Sequence, residues 1–595
     1  MPIVSRRAPG DSRIGNNLIL QDVSDELAHV GLENPHLRVL EVDPALVQFL
    51  LFQPQGVVVG DADHVGVRDS DILTCQMKGF LRKALESRAD VALCPEYSCT
   101  WPALIESVEA NVFPEEGRLW VIACEGATQA VLENAIARFR ASGHEVVFDD
   151  NVWRSNGNFV DAICYLFRTR RQGGDPTGTI LVQPKTHQMG GIQFEYQLLK
   201  TADKIFRFRN STSRSGNLVA FICSDTLHPQ FSANIEPHLM EDTFVLHPQM
   251  NANPSSPRFC AYRGACCGHR PRTTEILTLN WAGGTQLLDA GKVKDYIVEP
   301  KSIWFRDIVG VNAEDAAVMA NHGKGFYLTH WNKYTAAYVL SPDPGLFLIQ
   351  TTKPFVSGPA TNAMRDGPEM LELLRWNAAS STWDVDEADD RFRATWHDPH
   401  PEVQPILGPM LPQRLLDAER LIQLSVGEAD DIEWIDWKRQ PAFQLAGDDT
   451  PQRLTLCWSK LGQGPTYRDK CLSKFRGFAS VVSTPARFSI RLSEFKRGGF
   501  AIDHRRGIAK RLRNLYLDGL PATAIFLGLA PPQHQLEEVH KKTTKALKEI
   551  DADVQKLAIW YLEPGGELRD FMDLMIPKAT DDPGAGAVDF DNPEQ

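Results

Sequence analysis

The sequence predicts an α/β fold over residues 45–355, followed by a smaller α/β domain. Three observations carry this. Apolar runs of strand length recur through the first region. Segments with apolar residues at helical spacing lie between them. After an acidic stretch carrying Pro and Gly, a second strand–helix–strand pattern appears near the end, and such alternation is the mark of α/β architecture.

Taken in order, residues 1–44 are polar and read as an N-terminal extension. Residues 57–59 form a short strand. Asp69 or Ser70 caps a helix with Leu73, Met77, Phe80, Leu81 and Ala84 on its apolar face. Strands follow at 90–94 and 119–123, with a helix at 102–110 between them and another at 127–141. Further strands are predicted at 159–167, 179–182, 218–222, 244–246, 276–279 and 347–351. Residues 356–405 include the run WDVDEADD and read as a linker. Residues 406–579 form the second domain: a helix at 411–424, then strand 523–529, helix 533–550 and strand 557–562. Residues 580–595 read as a disordered acidic tail.

A chain of 595 residues exceeds what one core holds. Its formal net charge of -13 argues against a general binder of nucleic acid or anionic membrane. No apolar run reaches membrane-spanning length. The N-terminus lacks the apolar centre of a signal peptide, and the eleven cysteines are scattered, so a cytoplasmic protein with reduced thiols is expected.

Three polar residues directly follow apolar strands: Glu96 after VALCP, Lys185 after TILVQP and Cys223 after NLVAFI. Side chains at the carboxyl ends of neighbouring strands converge in a crevice. Their types suit amide or nitrile chemistry. A cysteine supplies a soft nucleophile once its proton is removed. A glutamate takes that proton and returns it to a leaving nitrogen. A lysine, with the backbone N–H of Ser224, stabilises the oxyanion of a tetrahedral intermediate. His187, His228 and His247 lie near the crevice and read as hydrogen-bonding walls.

The segments PEYS (95–98), PKTH (184–187) and FICSD (221–225) resemble, in order, the three signatures of the nitrilase, or carbon–nitrogen hydrolase, superfamily. HPQMNANP (247–254) and LTLNWAGG (277–284) are similar to later strand ends of that family. The resemblance covers residues 45–355. It implies an α-β-β-α sandwich that pairs with another copy, a Glu96–Lys185–Cys223 triad, and Glu195 as a second glutamate holding the lysine or orienting substrate. It implies a hydrolase acting on a small amide, nitrile or ureide. No cofactor and no metal are expected. Gly190, Gly191, Ser224 and the stretch CAYRGACCGHRPR depart from the family pattern and bear on substrate. Cys260, Cys266, Cys267 and His269 lack zinc-finger spacing.

Beyond residue 360 there is no Ser-Gly-Gly-type phosphate loop and no Walker motif, which disfavours a glutamine-dependent synthetase. Lys496, Arg497, Arg505, Arg506, Lys510, Arg511 and Arg513 lie among aromatics and offer a possible contact to nucleic acid or a partner protein. A solvated helix face is the favoured reading of them. They support an alternative: a nitrilase-like scaffold or sensor in a stress or defence system.

Overall fold

The computed structural model describes residues 17–353, 367–386, 400–427, 467–483, 500–502, 514–549 and 557–571. Short gaps fall at 44, 62–64, 172, 191, 211–215, 241, 268–273, 290, 299, 308–310, 312–314, 331–334, 411–414 and 518–519. The chain divides into two compact units: Met1–Arg393 with Gln444–Pro451, and Ala394–Phe443 with Gln452–Gln595.

The first unit is built on two large sheets. One has nine strands, in the order Thr382–Val385, Glu369–Asn377, Gly345–Thr352, Leu46–Gln53, Val91–Leu93, Leu119–Ala123, Ala162–Arg170, Pro176–Pro184 and Glu145–Val147. The other has eight: Ile19–Asp22, Lys204–Arg209, Asn217–Ala220, Thr243–Pro248, Glu275–Leu279, Ile303–Asp307, Thr335–Leu340 and Phe326–His330. Strand periodicity explains how they meet. In Leu46–Gln53, Phe49 points to one face and Phe52 to the other. Phe49 packs on Phe244 and Trp304 of the second sheet, with ring centroids 5.4 and 4.8 Å apart. Phe52 stacks on Phe80 of helix Ser70–Glu86, which covers the outer face. On the far side, helix Pro257–Cys267 sets Arg263 over the ring of Phe305, the neighbour of the inward Trp304. The layers therefore run helix, sheet, sheet, helix.

Several segments differ from the sequence reading. Ile19–Asp22, inside the expected extension, pairs in parallel with Lys204–Arg209 as an edge strand. Glu369–Asn377 and Thr382–Val385, inside the expected linker, form a hairpin that prolongs the nine-stranded sheet. It is held there by burial of Met370, Leu373 and Leu374 and by a hydrogen bond from Trp383 Nε1 to the Gln76 carbonyl. The helix expected from residue 127 begins at Gln129, because Ala127 and Thr128 pair with Val160 and Phe159.

The second unit holds a five-stranded sheet, ordered Phe500–Ile502, Leu515–Leu517, Leu520–Leu529, Leu557–Leu562 and Leu568–Asp570. Leu520–Leu529 and Leu557–Leu562 run parallel, joined through helix Gln533–Glu549. Leu536 of that helix is buried with Ile525, Leu527, Ile559, Tyr561 and Phe571. Among the described residues no helix is long and apolar enough to cross a membrane. The 580–595 segment lies outside the described residues.

Candidate active site

The two sheets of the first unit bring five strand ends together. Glu96 follows Val91–Leu93, and Lys185 follows Pro176–Pro184. Cys223 follows Asn217–Ala220, Met250 follows Thr243–Pro248, and Trp281 follows Glu275–Leu279. Asn217–Ala220, Thr243–Pro248 and Glu275–Leu279 are parallel, so their carboxyl ends lie side by side.

Lys185 is the hub. Its Nζ donates to Glu96 Oε1 at 2.5 Å and to Glu195 Oε2 at 2.8 Å. Glu96 Oε2 accepts the Met250 N–H at 2.7 Å, and its backbone carbonyl accepts Trp281 Nε1 at 2.7 Å. The Cys223 thiol points to the carbonyl of the same Met250, 4.0 Å away. The backbone of one residue, Met250, thus touches both the carboxyl group and the sulfur, through its N–H and its carbonyl. Glu195 sits on helix Gln193–Leu198 and accepts from Tyr97 Oη at 3.1 Å and Met189 N–H at 2.7 Å. That helix docks because Gly60 has no side chain, since a Cβ there would run into the Phe194 ring.

Glu96, Lys185 and Glu195 are fully buried, and Cys223 is 1% exposed. Burial raises Glu96 above the ordinary carboxylate range, against the pull of Lys185. Burial alone would lower Lys185, but Glu195, Glu96 and Asp161 outweigh it and hold the ammonium charged well above its ordinary range. Burial, then the charge of Glu96, pushes the Cys223 thiol well up. At rest the pocket holds a thiol, a firmly charged lysine and a carboxylate made more basic by its surroundings.

The backbone of Cys223 is fixed in the left-handed region, with φ 38°. Asp225 secures this turn. Its Oδ2 accepts the Ile222 N–H at 2.8 Å, while Oδ1 accepts the N–H groups of Thr186 (2.7 Å) and His187 (3.2 Å). The same carboxylate therefore ties the cysteine turn to the residues that follow Lys185. His247 Nε2 bonds the Cys223 carbonyl at 2.8 Å, and its Nδ1 meets Tyr262 Oη at 2.5 Å. Burial pushes His247 down to about 3 and His187 to about 4, so both are neutral at physiological pH. His187 and His228 face each other with ring centroids 5.7 Å apart.

Three contributors went unseen in the sequence. Asp161 lies 3.5 Å from Lys185 Nζ. Tyr97, at φ 61°, holds Glu195. Tyr296, on strand Lys292–Ile297, lies within electrostatic reach of Cys223, Glu195 and Glu96. Of the other candidates, Cys260, Cys266 and Cys267 sit on helix Pro257–Cys267. Lys496, Arg497, Arg505, Arg506, Lys510, Arg511, Arg513 and His269 lie outside the described residues.

Access has a direct consequence. Alkylation needs an exposed sulfur, and Cys75 is exposed while Cys223 is buried. Limiting iodoacetamide should therefore modify Cys75 before Cys223, as peptide mass mapping will read. Faster modification of Cys223 would mean that the pocket opens freely in solution.

No protein-family model matches the chain, and no curated protein does. Among solved structures the chain is similar to a glutamine-dependent NAD+ synthetase from Acinetobacter baumannii (11% identity, TM-score 0.25, 66% of this chain and 56% of that one). It is similar to a mutant of the Nesterenkonia AN1 amidase from the nitrilase superfamily (12% identity, TM-score 0.24, 43% of this chain and 87% of that one). A glutamine-dependent NAD(+) synthetase from Cytophaga hutchinsonii matches at 7% identity and TM-score 0.24, over 88% of this chain and 66% of that one. The chain spans just over half the length of the Acinetobacter enzyme. These likenesses are remote.

Proposed function

We propose that the chain is a cysteine-dependent carbon–nitrogen hydrolase of the nitrilase type, cleaving a small amide, nitrile or ureide through a thioester on Cys223. The observation that supports it best is the meeting of Lys185 and Glu96, 89 residues apart in sequence, in a fully buried cluster beside Cys223.

Glu96 accepts the thiol proton as Cys223 Sγ bonds to the carbonyl carbon. The oxygen gains the negative charge and is met by Lys185 Nζ and the Ser224 N–H. The C–N bond breaks as Glu96 returns the proton to nitrogen, releasing ammonia or an amine. Glu96 then deprotonates a water that attacks the thioester, giving the acid and the free thiol. Glu195 and Tyr97 hold Lys185 in place through this cycle. The scaffold or sensor alternative depends on basic residues outside the described ones, and no observation favours it.

The test is a panel of amides, nitriles and ureides, with acid quench and mass mapping during turnover. The expected result is an acyl adduct on the Cys223 peptide, absent in Cys223→Ala. Turnover that survives in a folded Cys223→Ala variant would falsify the reading.

A further inference from the structure

Asp161 stands just before strand Ala162–Arg170, whose antiparallel register pairs Ala162 with Pro184. That register sets Asp161 opposite Lys185, and the Lys185 N–H donates to the Asp161 carbonyl at 2.8 Å. The Asp161 side chain is fully buried. Yet its Oδ2 lies 3.5 Å from Lys185 Nζ, against 2.5 and 2.8 Å for the two glutamates. Among the described residues, neither carboxyl oxygen receives a hydrogen bond from an N–H or O–H donor. A buried carboxylate without donors is costly, and three carboxylates around one ammonium would leave excess negative charge in a dry pocket.

One carboxyl must therefore keep its proton. Glu96 and Glu195 each accept from Lys185 and from a backbone N–H. Asp161 has neither. We propose that Asp161 is a positioning residue, a neutral acid that donates its hydrogen bond to Glu96 and fixes the carboxylate beside Cys223. The electrostatics agree: burial, then the charge of Glu96, hold Asp161 well above the carboxylate range, and its hydrogen bond lowers Glu96 in return. The charged or titratable groups facing it are Glu96, Tyr97, Lys185 and Glu195, with Cys223 beyond Glu96. The effect on catalysis rests on the hydrolase reading; the protonation does not.

The test is thermal unfolding of full-length wild type and Asp161→Asn across pH, which needs no substrate. An acid raised in the folded state contributes stability that is complete below its unfolded value, 3.8, and is lost as pH rises through the folded one. Asparagine donates a hydrogen bond but cannot ionise. Asp161→Asn should therefore match wild type near pH 3.8 and gain over it as pH rises, by about 1 to 3 °C near neutrality. On any substrate turned over, it should keep activity within about tenfold, in contrast to loss of a general base, and lose an alkaline limb seen in wild type. Parallel melting curves, or a variant that loses stability relative to wild type as pH rises, would show an ionised Asp161 and overturn the proposal. If Asp161→Asn fails to fold, Asp161→Ser serves as a second neutral donor. Failure of both beside a folded Asp161→Glu overturns it equally. Inactivity of all proteins with the predicted melting curves would instead reject the hydrolase reading alone.

Discussion

Lys185→Ala is expected to cut turnover by about 100- to 1000-fold and to destabilise the first unit far more at neutral pH than in acid. The ammonium is buried among Glu96, Glu195 and Asp161, and two of these contacts are hydrogen bonds of 2.5 and 2.8 Å. Removing one partner of a buried ionic cluster leaves the others uncompensated, at a cost of about 3 to 5 kcal/mol. The pH dependence follows from the sign of the remaining shifts. Burial already raises Glu96, and Lys185 is what restrains that rise. Without it the folded protein binds protons more tightly than the unfolded chain. Stability is then complete below the unfolded value of 4.5 and falls as pH rises through the folded one. The deficit against wild type should be small near pH 4.5 and widen towards neutrality. In the proposed mechanism Lys185 meets the oxyanion, and loss of such a partner costs about 100- to 1000-fold in turnover. Melting curves at several pH values check the first part and steady-state rates the second. A deficit independent of pH would mean that the carboxyl groups do not depend on the lysine's charge.

Much of this site was legible because its principal residues follow apolar strands. VALCP, TILVQP and NLVAFI are local signals, and each ends on a group with evident chemistry. Asp161 gave no such signal. It precedes its strand, and its meeting with Lys185 is created by the Ala162–Pro184 register. Tyr296 belongs to a strand, KVKDYI, whose first four residues are exposed, so no apolar run marks it. The hairpin at 369–385 was hidden by acidic residues, because only part of it is buried against the sheet. Ile19–Asp22 is four residues long and finds its partner at Lys204–Arg209, so its pairing has no local trace. Asp225 was visible within FICSD, but its work of joining two distant segments is a property of the folded chain.

Glu96→Gln separates the glutamate's proposed role as base from its place as a buried charge. The substitution preserves shape, and its amide oxygen can still accept from Lys185. The amide NH2 then meets the Met250 N–H, donor against donor, where Glu96 Oε2 accepts in wild type. Turnover should fall by about 100- to 10,000-fold, the range lost with a general base. The thiol should move the opposite way. The charge of Glu96 raises Cys223, so removing it lets the thiolate form at lower pH, with Lys185 still present to stabilise it. Alkylation of Cys223 at a fixed pH should therefore be faster in Glu96→Gln than in wild type, while catalysis is slower. The wild-type rate should fall in acid as Glu96 protonates, at a pH above the ordinary 4.5 because burial raises it, and the variant should lack that limb. A more reactive sulfur in a slower enzyme is the signature of a missing base. If alkylation and turnover fell together, the simpler account would be a distorted pocket, and Glu96 would be holding Met250 and Lys185 in place rather than moving protons.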